Sequence, residues 1–231
     1  MKVLAVETSS EQGSLALWDS DTGRIWLKSL TPGFTHAREL VPGIERLIEE
    51  AGVEQPDLIA CGQGPGSYTG LRIGLAVARA LGFAWDKPTY GVSSLEALAA
   101  TEKEGRPAVL ATADAKKGEI YWALYEPSGN RPTLLKGPQV GTPWDIGDVP
   151  RGTIVLGDGA SIVQRCSQHA ELPADPARRP RAREVAVIAG RAFAAGVRQE
   201  PESLLPLYLR PSEAEIRWSK RKQKSGEQVR G

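Results

Sequence analysis

Gly62-Gln63-Gly64-Pro65-Gly66-Ser67-Tyr68-Thr69-Gly70-Leu71-Arg72-Ile73-Gly74 is the stretch on which the reading of this chain turns. The apolar run Asp57 to Cys61 precedes it and the apolar run Leu71 to Trp85 follows it. The glycine-rich residues therefore read as the junction between a strand and a helix. A helix N-terminus offers free amides and can hold an anion there. The stretch carries no Gly-Lys-Ser/Thr and no lysine, so it is not a P-loop, and it lacks the dinucleotide GxGxxG with an acid at the right distance. The other reading is that the glycines serve turns and close packing. The following helix favours packing. Gly70, Gly74, Ala78 and Gly82 recur every four residues, Leu71, Ile73, Leu75, Val77 and Leu81 fill the other faces, and only Arg72 and Arg79 are charged. A helix apolar nearly all round is covered on more than one side. The second cover is either another helix of this chain or another protein chain, and the pattern leaves both open.

Outward from this stretch, Lys2 to Thr8, Ser14 to Trp18 and Arg24 to Leu30 read as three strands joined by tight turns, an antiparallel meander. Ala37, Leu40, Val41, Ile44, Leu47, Ile48 and Ala51 then fall at helical spacing, with Thr35 as candidate N-cap, Gly52 past the end and a kink expected at Pro42. Thr89 to Val92 is a strand and Ser94 to Thr101 a short helix. The second half echoes this with strands over 108–113, 119–125 and 153–156 and helices over 160–169 and 184–197. The economical division is an N-terminal α/β lobe over 1–102, a smaller lobe over 103–212 and a basic tail over 213–231.

The chain has 231 residues, 41% of them apolar and 25% charged, with a net charge of +1. That is ordinary globular usage, not that of a disordered or polyanion-binding chain. The tail differs. Its bases are Arg217, Lys220, Arg221, Lys222, Lys224 and Arg230, against the acids Glu213, Glu215 and Glu227. It reads as a solvated terminus or as a contact for nucleic-acid phosphates. No window has the roughly 18 consecutive apolar residues of a membrane helix, and Glu7 interrupts the early apolar run, against a signal peptide. Cys61 and Cys166 form no CxxC, so neither a disulfide framework nor a zinc knuckle is expected, and the expected compartment is the cytoplasm.

Few residues offer chemistry. Glu7-Thr8-Ser9 ends the first strand, where an acid and hydroxyls suit a nucleotide's metal and phosphates, or simply a turn. Asp114 and Asp158 also end strands, as metal or ribose contacts or as ordinary turn residues. His36 and His169 are the only histidines and lie far apart, and no Ser/His/Asp set emerges. Cys61 reads as core rather than nucleophile. No catalytic residue, cofactor or metal is expected.

Val3 to Ser9, His36-Ala37-Arg38-Glu39-Leu40-Val41-Pro42, Gly64 to Gly74 and Gly91-Val92-Ser93-Ser94-Leu95 together resemble the TsaB family, also called YeaZ. Asp114-Ala115, Gly118 to Trp122 and Pro206 to Arg210 agree in the second half, so the resemblance runs from residue 1 to about 210. The family typically has Asp where this chain has Glu7, which weakens a nucleotide-metal role there. The resemblance implies a two-lobed actin-like ATPase fold (ASKHA, ribonuclease H-like). It implies a non-catalytic subunit for threonylcarbamoyl transfer to the N6 of the tRNA adenosine next to the anticodon. The expected partners are the catalytic paralogue TsaD, a TsaE-type ATPase in the complex, a second copy of the chain, and tRNA indirectly. The paralogue carries His-x-x-x-His after its Gly-Val, and alignment on Gly91-Val92 puts Ser94 and Leu98 at those positions, neither of which ligates metal as imidazole does. The family pairs its N-terminal lobes through the helix beginning near His36 and the helix after the glycine-rich stretch. The residues this implies for the interface are His36, Leu40, Tyr68, Gly70, Leu71, Arg72, Gly74, Leu75, Ala78 and Arg79. The alternative class is an ASKHA-type ATP-dependent phosphotransferase, which needs Glu7, Asp114 and Asp158 to converge on ATP. A metalloprotease lacks ligands, and a stand-alone tRNA-binding protein rests on the tail alone.

Overall fold

The first three strands form the antiparallel meander that their tight turns imply. β1 (Lys2–Glu7) pairs antiparallel with β2 (Ser14–Asp19), and β2 with β3 (Ile25–Ser29). The computed structural model describes residues 1–33, 36–102, 105–128, 131–164, 170–173, 175 and 178–210. The Thr35 cap, the His36 side chain, Cys166, His169 and the basic tail lie outside the described residues.

β1 is central. Its other edge pairs parallel with β4 (Leu58–Gly62), which pairs parallel with β5 (Thr89–Val92), giving the order β3-β2-β1-β4-β5. Both faces of β1 are buried, as a near-continuous apolar run requires. Leu4 and Val6 face one core with Leu40, Ile44, Leu71 and Leu75. Val3 and Ala5 face another with Val185, Ile188 and Ala189. The first core is covered by α1 (His36–Ala51) and α2 (Tyr68–Ala84). α1 runs through Pro42 as one helix.

The small-residue stripe of α2 is what lets that helix lie on the sheet. A Cβ at Gly70 would stand 2.0 Å from the Thr8 carbonyl oxygen, and one at Gly74 2.3 Å from Thr8 Oγ1. Gly70, Leu71, Gly74, Leu75 and Ala78 are all buried within the chain, as is Leu40 of α1. These residues are therefore packed inside the chain rather than facing a partner: the stripe is covered by the chain's own sheet.

A short helix, α3 (Ser94–Ala99), leads into the second sheet, of order β10-β9-β6-β7-β8. Its strands are β6 (Val109–Lys116), β7 (Glu119–Glu126), β8 (Thr133–Gly141), β9 (Thr153–Leu156) and β10 (Ala170–Glu171). Trp122, fully buried, anchors this core with Leu110, Ile120 and Val155. The helix expected over 160–169 is described as α4 (Ala160–Val163), and residues 165–169 lie outside the described set.

The last helix, α5 (Ala182–Ala194), corrects the lobe boundary. It packs on β1, β2 and β4, with Val3, Ala5 and Ala16 against Val185, Ile188 and Ala189. A Cβ at Gly190 would meet Val3 Cγ2 at 2.9 Å. Residues 182–210 therefore belong to the N-terminal lobe rather than to a second lobe ending at 212. Each sheet thus carries its own core, giving two α/β lobes.

Candidate functional site

Three features meet where β1 ends: a buried hub, a cleft between the lobes, and the outer face of α2. The hub consumes the polar groups that the sequence nominated for phosphate. Ser67 accepts the Gly70 amide at 3.2 Å and caps α2. The Ser67 amide donates to the Ser9 carbonyl at 2.6 Å, and Thr8 Oγ1 donates to the Gly70 carbonyl at 2.8 Å. The Gly64 amide donates to Ser94 Oγ at 3.1 Å, and the Ser94 hydroxyl donates to Glu7 Oε2 at 2.8 Å. The Ser9 amide donates to Glu7 Oε1 at 2.6 Å. Glu7 is wholly buried, and a Cβ at Gly62 would stand 2.0 Å from its Oε2. Burial pushes the Glu7 carboxyl above the usual carboxylate range, against the hydrogen bonds from Ser9 and Ser94. Burial and the neighbouring Glu7 push the Cys61 thiol well up, so its thiolate is suppressed. The glycines of the stretch therefore permit contact between β1, the loop and α3, which is the packing reading.

The cleft between the lobes has a volume of about 640 Å³ and is lined by Ser9, Ser67, Asp114, Lys116, Asp158 and Arg179, among others. Its acids are engaged by the chain itself. Asp114 Oδ2 pairs with Lys116 Nζ at 2.8 Å, and Asp114 Oδ1 accepts the Lys116 amide at 2.7 Å. Burial pushes the Asp114 carboxyl up, but Lys116 outweighs it and holds Asp114 below its ordinary range. Asp158 Oδ1 accepts the Asp114 amide at 2.8 Å, and its other oxygen lies 3.6 Å from Arg179. Glu7 is not part of the cleft wall. The convergence of Glu7, Asp114 and Asp158 that a phosphotransferase needs is therefore not formed. Among the described residues, no three His, Cys, Asp or Glu side chains are grouped as a metal site, and no helix is long and apolar enough to cross a membrane.

The outer face of α2 is the third feature. Of the residues nominated for an interface, Tyr68, Arg72 and Arg79 are exposed. Thr69, Ala76, Ala80, Phe83 and Ala84 share that face, with Ile73 and Val77 half-buried along one margin. Phe83 is 92% exposed, an unusual setting for a phenylalanine. The expected interface set is thus split by the fold, and the exposed stripe lies on the side of α2 opposite its glycines.

Sequence reasoning missed Tyr208. The segment after α5 returns along the N-terminal lobe, bringing the Tyr208 ring to 5.0 Å from the Tyr68 ring, nearly parallel at 25°. Arg72 Nε donates to Tyr208 Oη at 3.0 Å, and Arg72 Nη2 donates to Tyr68 Oη. The only signal in the sequence was that Pro206 to Arg210 belonged to the family resemblance.

Comparison with known proteins agrees with this architecture. The family model described as TsaD, tRNA N6-adenosine threonylcarbamoyltransferase, matches residues 34–218. The Escherichia coli tRNA threonylcarbamoyladenosine biosynthesis protein TsaB is 31% identical over 95% of this chain and 98% of its own length. The Bacillus subtilis protein of the same description is 29% identical over 94% of this chain and 98% of its own length. The solved structure of YeaZ from Pseudomonas aeruginosa is 35% identical and superposes with a TM-score of 0.76, over 90% of this chain and 99% of that one.

Proposed function

The chain belongs to the TsaB (YeaZ) family, and on that premise we propose that it takes part in forming threonylcarbamoyladenosine in tRNA, as the non-catalytic subunit that binds a TsaD-type catalytic paralogue. The observation that carries the docking reading is the outer face of α2, where Ala76, Ala80 and Phe83 lie exposed beside Arg72 and Arg79. Burying a large apolar side chain such as Phe83 yields about 1.5–3 kcal/mol. Small alanines beside it admit a partner helix at short range, and the arginines along one margin suit acids on the partner's rim. A second copy of the chain would compete for the same face, because an isologous pair uses one patch twice.

Two observations support a role without catalysis. At the positions the resemblance gives to metal-ligating histidines, Ser94 is spent on Glu7 and Leu98 is buried with Val109 and Leu156. The cleft acids are held by Lys116 and Arg179 rather than left to bind a metal nucleotide. A TsaE-type ATPase completes the proposed complex, and tRNA is contacted chiefly through the catalytic partner.

The test is reconstitution. Purified chain alone, given tRNA and threonylcarbamoyl-adenylate, is expected to leave the nucleoside profile unchanged. The TsaD-type subunit is expected to modify tRNA well only when this chain is added. Turnover by the lone chain, or equal turnover by the partner without it, would overturn the reading.

A further inference from the structure

We propose that Tyr68 and Tyr208, tied together by Arg72, form an anchor that receives a carboxylate of the partner subunit at the N-terminal end of the α2 face. The proposal rests on the docking reading above and adds to it a residue, Tyr208, and the chemistry of what it meets.

The anchor is built by long-range ties. Gln63, inside the glycine-rich stretch, donates from Nε2 to the Ser203 and Leu205 carbonyls at 3.1 and 3.0 Å. Its own carbonyl accepts the Leu207 amide at 2.8 Å. Leu204 is buried in the core that holds Leu71 and Leu75. Arg210 closes the far end, donating to Glu119 Oε2 at 2.7 Å on the second lobe. Tyr208 is therefore fixed from both sides, and its ring lies on Tyr68 without being covered: Tyr68 is 38% and Tyr208 43% exposed.

The hydrogen-bond accounting fixes the polarity of the site. A phenol has one proton to give and lone pairs to receive. Both hydroxyl oxygens receive from Arg72, through Nε and Nη2, so each proton is directed away from the guanidinium. The guanidinium also sits over the Tyr68 ring, 4.0 Å from its centre. Two O–H donors polarised by one cation make a receptor for an acceptor with two oxygens, and an anionic one binds more strongly than a neutral one. Rigid aromatic donors lose little conformational freedom on binding.

A protein carboxylate fits better than a tRNA phosphate. The face that continues from the anchor is Ala76, Ala80 and Phe83, apolar and small, with Arg79 as its second cation. Nucleic-acid surfaces are met by dense positive charge, whereas an apolar stripe edged by two arginines matches a protein helix carrying an acid.

The experiment uses the full chain with Tyr208→Phe, Tyr68→Phe, both together, and Ala80→Arg, titrated against the purified TsaD-type subunit. Each Tyr→Phe keeps the ring stack and removes one proton donor. Each is expected to weaken binding about tenfold with an unchanged melting temperature. The double variant should cost less than the product of the singles, because both hydroxyls serve one carboxylate. If Ala80→Arg abolishes binding while the Phe variants bind as wild type, docking stands and the anchor falls. If Ala80→Arg is also silent, the docking face itself is misplaced and the anchor falls with it. If the Phe variants spare the partner but weaken tRNA binding by the assembled complex, the acceptor is a phosphate and the proposal is wrong.

Discussion

Gly74→Ala sets two effects of opposite sign against each other. Intrinsic helix propensity favours alanine over glycine by about 1 kcal/mol in a helix interior. The sheet contact opposes it: the new Cβ would stand 2.3 Å from Thr8 Oγ1, 3.4 Å from Val6 Cγ1 and 3.5 Å from Cys61 Sγ. The neighbours at that point are a strand core rather than flexible side-chain ends, so either α2 lifts or Thr8 rotates. Overpacking costs about 1–3 kcal/mol. Rotation also breaks the Thr8 to Gly70 hydrogen bond and leaves a buried polar group unpaired, about 1–3 kcal/mol more. Set against the propensity gain, the net loss is about 3 kcal/mol, or about 6–12 °C in melting temperature for a chain of this size. Calorimetric melts of wild type, Gly74→Ala, Thr8→Ala and the double variant read the effect directly. Removing the Thr8 hydroxyl should cut the cost of Gly74→Ala to below about 1 kcal/mol. A Gly74→Ala protein that melts at or above the wild-type temperature would refute the packing of the small stripe on β1.

Other outcomes follow from the same geometry. Glu7 has a folded-state pKa raised above the ordinary 4.5 by burial. Its contribution to stability is present below the unfolded pKa and is lost as pH rises through the folded one. Denaturant midpoints from pH 4 to pH 8 should therefore show wild type losing ground to Glu7→Gln as pH rises, and a pH-independent difference contradicts the burial argument. Leu204→Ala removes a fully buried side chain from the core with Leu71 and Leu75, costing about 2–5 kcal/mol, and should expose the 199–210 segment to limited proteolysis before the rest of the chain. In a Cys166→Ser background, native protein should not react with an aromatic disulfide reagent at pH 8, because Cys61 is buried with its thiol pKa pushed up, whereas the denatured chain should react fully.

What could be read in the sequence was whatever depends on local spacing. The apolar run Val3 to Val6 announced a strand, though not its burial on both faces, and the glycine-rich stretch announced a strand-to-helix junction. The spacing of Gly70, Gly74 and Ala78 announced close approach but not its object, because a small stripe fits a sheet as well as a helix. That is why the interface set mixed buried with exposed residues. α5 was visible as a helix, but amphipathicity does not say which sheet a helix covers, and it returned to the first lobe. β8 was hidden by Gly137-Pro138, which reads as a breaker. The strand survives because it is the edge of its sheet, where a missing amide donor is tolerated. The Tyr208 anchor had no local signal, since Tyr208 and Arg72 lie 136 positions apart.

The dissociation constant of the TsaD-type subunit for Ala76→Arg tests the central claim most directly. Ala76 is exposed at the middle of the outer face of α2, and arginine is a good helix former, so the variant should fold and melt as wild type. A long charged side chain at the centre of a docked helix face should weaken binding at least a hundredfold, with tRNA modification lost in parallel. A variant that folds, binds the partner with wild-type affinity and supports wild-type modification would contradict the account.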